Sequence, residues 1–206
     1  MIQSADLSHL DALLADGQRK LLGLVGAPGA GKSTLAQALL QALPGRAQVV
    51  PMDGFHLAQV ELQRLGRADR KGAPDTFDSA GYVALLRRLR EQRADEIVYG
   101  PEFRREIEEP VAGAIAVLPQ TQLVITEGDY LLLQEGSWAG VAPLLDEAWY
   151  VEVDDALRVE RLVRRHQAFG RSREQALAWV AQTDEPNARR IAATRERANR
   201  VIRIDA

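Results

Sequence analysis

Apolar and polar positions along the chain switch repeatedly between two rhythms, a helical period and short continuous apolar runs. Leu7, Leu10, Leu13 and Leu14 recur at helical spacing and predict a short helix over residues 5–16. The run 20–25 is apolar and stops at glycines, which predicts a buried strand. Residues 32–43 then read as a helix ended by Pro44-Gly45. A second short strand is predicted at 47–51. Residues 54–77 lose the periodicity and are rich in Arg, Gly, Asp and Pro, which predicts an exposed helix and loop. Residues 79–92 return to the helical period, with Asp78 or Ser79 as N-cap. Strands of a connecting excursion are predicted at 97–99 and 114–118, and buried strands at 122–126 and 148–153, the latter opening on Trp149 and Tyr150 as core residues. Asp154 caps a long helix over about 155–168, Gly170 breaks it, helices resume at 172–182 and 186–198, and 201–204 closes as a last strand.

Strands alternating with helices in this order predict a mainly parallel sheet with helices on both faces, a three-layer α/β/α arrangement. No linker divides the chain, so one domain over 1–206 is expected. Residues of about 54–78 and 100–121 are expected to stand off the core as substrate-side inserts, and 165–185 as a small lid.

The bulk numbers narrow this picture without redirecting it. A chain of 206 residues, 46% hydrophobic and 27% charged, suits a globular protein with one substantial core. A net charge of −3 gives no reason to expect nucleic acid as partner. With no cysteine in the sequence, disulfides, thiolate catalysis and cysteine-ligated zinc are excluded. The first residues lack a basic start followed by an apolar run, and no stretch of about 18 apolar residues occurs. A cytoplasmic protein without a membrane partner is therefore expected, with a homodimer left open.

The strongest chemical signal is Gly26-Ala27-Pro28-Gly29-Ala30-Gly31-Lys32-Ser33, a complete phosphate-binding loop of the form G-x-x-x-x-G-K-[ST], set between an apolar strand and a helix. Each fixed position has a physical reason. Gly26, Gly29 and Gly31 let the backbone turn and approach anionic oxygens, so that N–H groups converge on them. The helix that follows points its positive end at the same phosphates. Lys32 supplies a cation for the β and γ phosphates, Ser33 a hydroxyl for Mg²⁺, and Thr34 a contact to a more interior phosphate. The implied cofactors are ATP and Mg²⁺.

Three classes of protein use such a loop. The Asn-Lys-x-Asp guanine reader of regulatory GTPases and the LSGGQ-like signature of transport ATPases are both absent, and the later acidic strand ends Thr126-Glu127-Gly128 rather than Asp-Glu. A small-molecule kinase fits better. Asp53 ends the second strand, and ligands of parallel sheets sit beyond the carboxyl ends of strands. A carboxylate there can accept the proton of an attacking hydroxyl, although Asp53 is also well placed as a helix N-cap. Glu127 ends a later strand and can hold Mg²⁺ directly or through water. Arg158, Arg161, Arg164, Arg165 and Arg171 punctuate the helix that ends at Gly170. Of these, Arg165 and Arg171 are favoured to stabilise a transferring phosphoryl group from a lid, while Arg158 with Asp155 and Glu160 reads equally as a solvated face. His56 can touch a substrate and His166 can join the lid, while either can be a plain surface histidine, the reading favoured for His166. Phe55 and Phe103 can wall a pocket, though aromatic residues more often simply pack.

Taken together and in order, the loop at 26–33, Asp53-Gly54-Phe55, Pro74-Asp75-Thr76-Phe77-Asp78, Tyr99, Glu127-Gly128 and the arginine helix up to Arg171 resemble the phosphoribulokinase, uridine kinase and bacterial pantothenate kinase group over nearly the whole chain. The resemblance implies that Asp53 is the catalytic aspartate and Glu127 the strand-end glutamate near Mg²⁺. It implies a substrate loop at 74–78 in which Asp78 binds a substrate hydroxyl, preceded by Lys71-Gly72 as in pantothenate kinases. Tyr99 with Arg104 or Arg105 would sit on a β-hairpin folded over the acceptor, and Arg165 and Arg171 on the lid. Asp53-Gly54-Phe55-His56 departs from the Asp-Ser-Phe-Tyr-like segment of uridine kinases, and the insert is shorter than in pantothenate kinases. Asp184-Glu185-Pro186-Asn187 is similar to a bacterial branch labelled fructokinase-like or nucleoside-kinase-like, in which Asn187 lies near adenine. The expectation is an ATP-dependent kinase of a small-molecule hydroxyl, with the acceptor open between sugar, nucleoside and pantothenate-like compounds. Two alternatives stand beside it: a nucleoside monophosphate kinase holding the acceptor phosphate with Arg64, Arg67 and Arg70, and a non-catalytic ATP-binding module.

Overall fold

Five short segments stack side by side in the middle of the chain's computed structural model, which describes residues 2–204, and the central three are almost wholly buried. These strands are β1 (Lys20–Val25), β2 (Ala47–Val49), β5 (Leu123–Gly128), β6 (Glu147–Glu152) and β7 (Arg200–Arg203). They form one sheet in the order β2-β5-β1-β6-β7, and every neighbouring pair is parallel. The remaining strands, β3 (Val98–Arg104) and β4 (Glu109–Val117), make a separate antiparallel hairpin. The helices are α1 (Ser4–Leu13), α2 (Lys32–Ala42), α3 (Gln59–Arg64), α4 (Ser79–Arg90), α5 (Asp155–Ala168), α6 (Arg173–Trp179) and α7 (Glu185–Ala192).

Successive side chains of a strand point to opposite faces, and that alternation divides the core in two. Leu21, Val25, Val124 and Tyr150 pack on one face with Tyr82, Leu86 and Leu89 of α4. Leu22, Leu24, Leu123, Ile125 and Trp149 pack on the other with Leu10 of α1 and Leu35 and Leu39 of α2. The result is the expected three-layer α/β/α fold. Among the described residues no helix is long and apolar enough to cross a membrane.

Five predicted elements changed on folding. The two short strands expected at 97–99 and 114–118 are the roots of a much longer hairpin. The helices expected at 172–182 and 186–198 meet: α6 stops at Trp179, a π-turn spans Val180–Asp184, and α7 ends at Ala192. The first helix ends at Leu13, ahead of the predicted boundary.

The hairpin lies directly on the turn that carries Asp53. A Cβ added at Gly54 would meet the main-chain oxygen of Pro101 at 2.3 Å, and backbone cannot retreat as a side-chain tip can. Gly54→Ala is therefore expected to push the hairpin off its seat and to destabilise the protein by about 1–3 kcal/mol, as overpacking does. Thermal denaturation of the variant beside the wild type measures this; equal melting temperatures would contradict it.

Candidate active site

All five sheet strands run the same way, so their carboxyl ends share one edge, and the loops leaving that edge build a cavity of about 950 Å³. The phosphate loop leaves β1 there. Its last glycine, Gly31, caps α2 with φ at 96°, a left-handed conformation that side chains rarely adopt. Lys32 folds back over the loop: its Nζ donates to Gly26 O at 2.8 Å, to Ala27 O at 3.2 Å and to Asp129 Oδ1 at 2.6 Å. Ser33 Oγ donates to Glu127 at 2.7 Å and 3.0 Å from its two carboxylate oxygens. Burial pushes the Glu127 and Asp129 carboxyls above their usual range, against the pull of the Lys32 ammonium.

Asp53 sits in a single turn, Met52–Phe55, just past the end of β2. The position of that turn is fixed from below. Thr126 Oγ1 donates to Val50 O at 2.7 Å and accepts from the Tyr82 hydroxyl, which ties the end of β5 to the residue after β2. The Asp53 carboxylate faces the cavity with Arg105 Nη2 at 3.4 Å.

Most predicted residues converge here. Pro28, Gly29, Gly31, Lys32, Ser33 and Thr34 line the cavity at the loop end. Asp53, His56, Lys71, Arg105 and Glu127 line it too, with Arg165 from α5, Arg171 from the turn after it and Asn187 from α7. Gly26 lies below the loop, where a Cβ would meet Val151 O at 2.6 Å, and Ala27 and Ala30 line a smaller cavity behind it.

Four expected substrate contacts are not brought to the cavity. The Asp78 carboxylate accepts from Gly81 N at 2.8 Å as the N-cap of α4. Phe55 packs on Tyr82, ring centroids 5.3 Å apart. Tyr99 and Arg104 lie on the exposed face of β3. The register of β3 shifts between Gly100 and Glu102, so alternation on the two sides of the shift turns Tyr99 and Arg104 outward while Phe103 turns in.

Two histidine and arginine expectations are corrected. His166 is not a surface histidine: Nε2 lies 2.8 Å from Asp184 Oδ2, and Nδ1 lies 2.8 Å from Arg171 Nη1. Since arginine only donates, Nδ1 accepts and the Nε2 hydrogen goes to Asp184. The Arg171 guanidinium also stacks on the Trp179 ring at 3.9 Å. Arg158 is not on a solvated face. It is 4% exposed, pairs with Asp155 and Glu185, and reaches Pro28 O behind the loop.

Sequence reasoning gave no role to Asp129, Trp179 or Asp184. Asp129 had a signal, since it falls two residues past Glu127 and a strand end puts both on one side. Trp179 and Asp184 are five apart, a spacing that an α-helix splays over its surface and only a π-turn brings onto one face.

Mg²⁺ prefers oxygen ligands, takes one or two carboxylates from the protein and leaves the rest to water and phosphate. Ser33 and Glu127, already touching, fit that pattern, and no group of three metal-ligating side chains occurs among the described residues. The whole arrangement can hold a polyphosphate and its metal and present a carboxylate to a second ligand in the same cavity.

No family model matches the chain. It is similar to "Putative uridine kinase C227.14" of Schizosaccharomyces pombe, 35% identical over 185 residues that cover 82% of this chain and 78% of that protein. It is also similar to "Uncharacterized protein YggC" of Escherichia coli K12, 34% identical over 192 residues, 91% of this chain and 78% of that one. Among solved structures, a "putative fructose transport system kinase" from Silicibacter sp. TM1040 superimposes with a TM-score of 0.81 at 40% identity, covering 90% of each chain.

Proposed function

The chain belongs to the uridine kinase-like family of P-loop kinases, and from that premise we propose that it transfers the γ-phosphoryl group of ATP to a hydroxyl of a small molecule. One observation supports this most: Asp53 shares a cavity with the phosphate loop and Glu127, so a base and a phosphate site face each other. In this reading the loop from Gly26 to Thr34 holds ATP, with Arg171 and Asn187 at its lid side. Ser33 and Glu127 hold Mg²⁺, which neutralises phosphate charge when bound. Asp53 orients the acceptor hydroxyl and takes its proton. Lys32 and Arg165 stabilise the charge that spreads over the transferring group. His56, Lys71 and Arg105 bind the acceptor, and residues 1–206 act as a single kinase domain in the cytoplasm.

A panel of sugars, nucleosides and pantothenate scored for ADP release tests the proposal. Acceptor-stimulated release supports it; ATP binding with no stimulation by any class would sink it in favour of a non-catalytic module. The monophosphate-kinase alternative draws no support from its arginines. Arg64 is paired with Glu61, Arg67 and Arg70 with Asp75, and none of the three lines the cavity.

The lid gives a further expected result. His166 and Trp179 together fix the direction of Arg171, and small misplacements of a phosphate-binding group are costly. His166→Ala is expected to lower kcat by about 10- to 100-fold with little change in the KM for the acceptor. His166→Gln, which keeps one acceptor and one donor, should recover most of it. Steady-state kinetics of the two variants side by side decides, and a His166→Ala variant with unchanged kcat would remove His166 from the mechanism.

A further inference from the structure

The end of β5 addresses two consecutive residues of the phosphate loop. Glu127 accepts from the Ser33 hydroxyl, and Asp129, two residues on, accepts from the Lys32 ammonium at 2.6 Å. The two contacts differ in kind. A hydroxyl and a carboxylate that touch can both turn to one Mg²⁺. The Lys32 contact instead uses up what a phosphate needs. An ammonium has three hydrogens. Those of Lys32 go to Gly26 O at 2.8 Å, to Ala27 O at 3.2 Å and to Asp129 Oδ1, so all are committed inside the protein. Both side chains of the pair are largely shielded from water, which strengthens the attraction between them.

A phosphate oxygen reaches Lys32 only by displacing one of these partners. The two carbonyls are neutral and can stay, whereas a carboxylate and a phosphate held side by side on one ammonium repel each other. Asp129 is therefore the partner displaced. It lines the same cavity as Lys32, so the exchange takes place within that cavity. We propose that Asp129 is a positioning residue that competes with the nucleotide for Lys32. It yields the ammonium when ATP binds and takes it back when ADP leaves, which speeds the release of product, a step that limits many enzymes. The inference rests on the nucleotide-holding half of the reading above and not on transfer to an acceptor. Its sign sets it apart from a supporting contact. Removing a support loosens the nucleotide, and removing a competitor tightens it.

The test follows N-methylanthraniloyl-ADP with Mg²⁺ on the full chain, by fluorescence titration for affinity and by stopped flow for dissociation. Asp129→Asn keeps the shape and one acceptor oxygen, drops the charge, and leaves Lys32 its two carbonyl partners. It should tighten binding by about 10-fold, nearly all of it as slower dissociation. Unchanged or looser binding overturns the proposal. In the Lys32→Met background the same substitution should tighten binding by a clearly smaller factor, because no ammonium is left to compete for. Equal factors in the two backgrounds would mean general relief of charge repulsion and overturn the proposal. If Lys32→Met fails to fold, Asp53→Asn takes its place as the control. It removes a carboxylate of the same cavity that pairs with Arg105 rather than with Lys32, and tightening equal to that of Asp129→Asn overturns the proposal. Each of these results leaves the kinase reading intact. A wild type that binds neither ATP nor ADP overturns both.

Discussion

Asp53→Asn is expected to bind ATP with nearly unchanged affinity and to lose phosphotransfer by about 10²- to 10⁴-fold. The asparagine keeps the size of the side chain and one oxygen, so the turn at Met52–Phe55 has no reason to move. On the proposed role, what disappears is the capacity to take a proton from the acceptor. The charge also leaves Arg105, whose 3.4 Å contact with the carboxylate is half exposed and contributes little to stability. Binding measured by calorimetry and transfer measured by acceptor-dependent ADP release separate the two effects. Undiminished transfer with the true acceptor would remove Asp53 from the catalytic role.

Lys32→Met should have an effect of comparable size on turnover and a second one on stability. Lys32 offers the cation that would face the β and γ phosphates, and loss of one such preorganised donor lowers kcat by about 10²- to 10³-fold. In the protein as it stands, the same ammonium is paired with Asp129 at 2.6 Å, and both side chains are largely buried, 10% and 22% exposed. Removing one member of a buried pair leaves the other charge without compensation, at a cost of about 3–5 kcal/mol. The double variant Lys32→Met with Asp129→Asn should regain most of that stability and none of the turnover. Chemical denaturation and ADP release, run on the single and double variants, check both halves. A single variant as stable as wild type would show that Lys32 does not hold Asp129 in the native state.

How much of this could be read in advance follows from where the constraints lie. The segment from Lys20 through Ala42 was legible almost to the residue, because a strand, an obligatory loop and a helix each leave their own pattern and the loop tolerates few residue types. Asp53 and Glu127 were legible because position at a strand end is enough to place them. The outward turn of Tyr99 and Arg104 was not, since one bulge between Gly100 and Glu102 reverses the alternation on which any facing argument rests. The lid was harder still. Arg158 is buried by Glu185 of α7, and His166 by Asp184, partners that only folding brings near. The π-turn that aims Trp179 and Asp184 at one ring has no periodic signature in the sequence.

The order of the sheet also sets a timetable for biosynthesis. Strand β1 is central, and its two neighbours are β5 and β6, with Leu21 paired to Val124 and Leu22 to Glu147. At a synthesis rate of about 5–20 residues per second, β1 waits roughly 5–20 s after emerging from the ribosome before its first partner exists. During that interval an apolar segment with both edges unpaired is open to any other strand, the exposure that chaperones relieve. The phosphate loop is therefore among the first parts of the active site to be synthesised, while its supporting sheet is among the last to close.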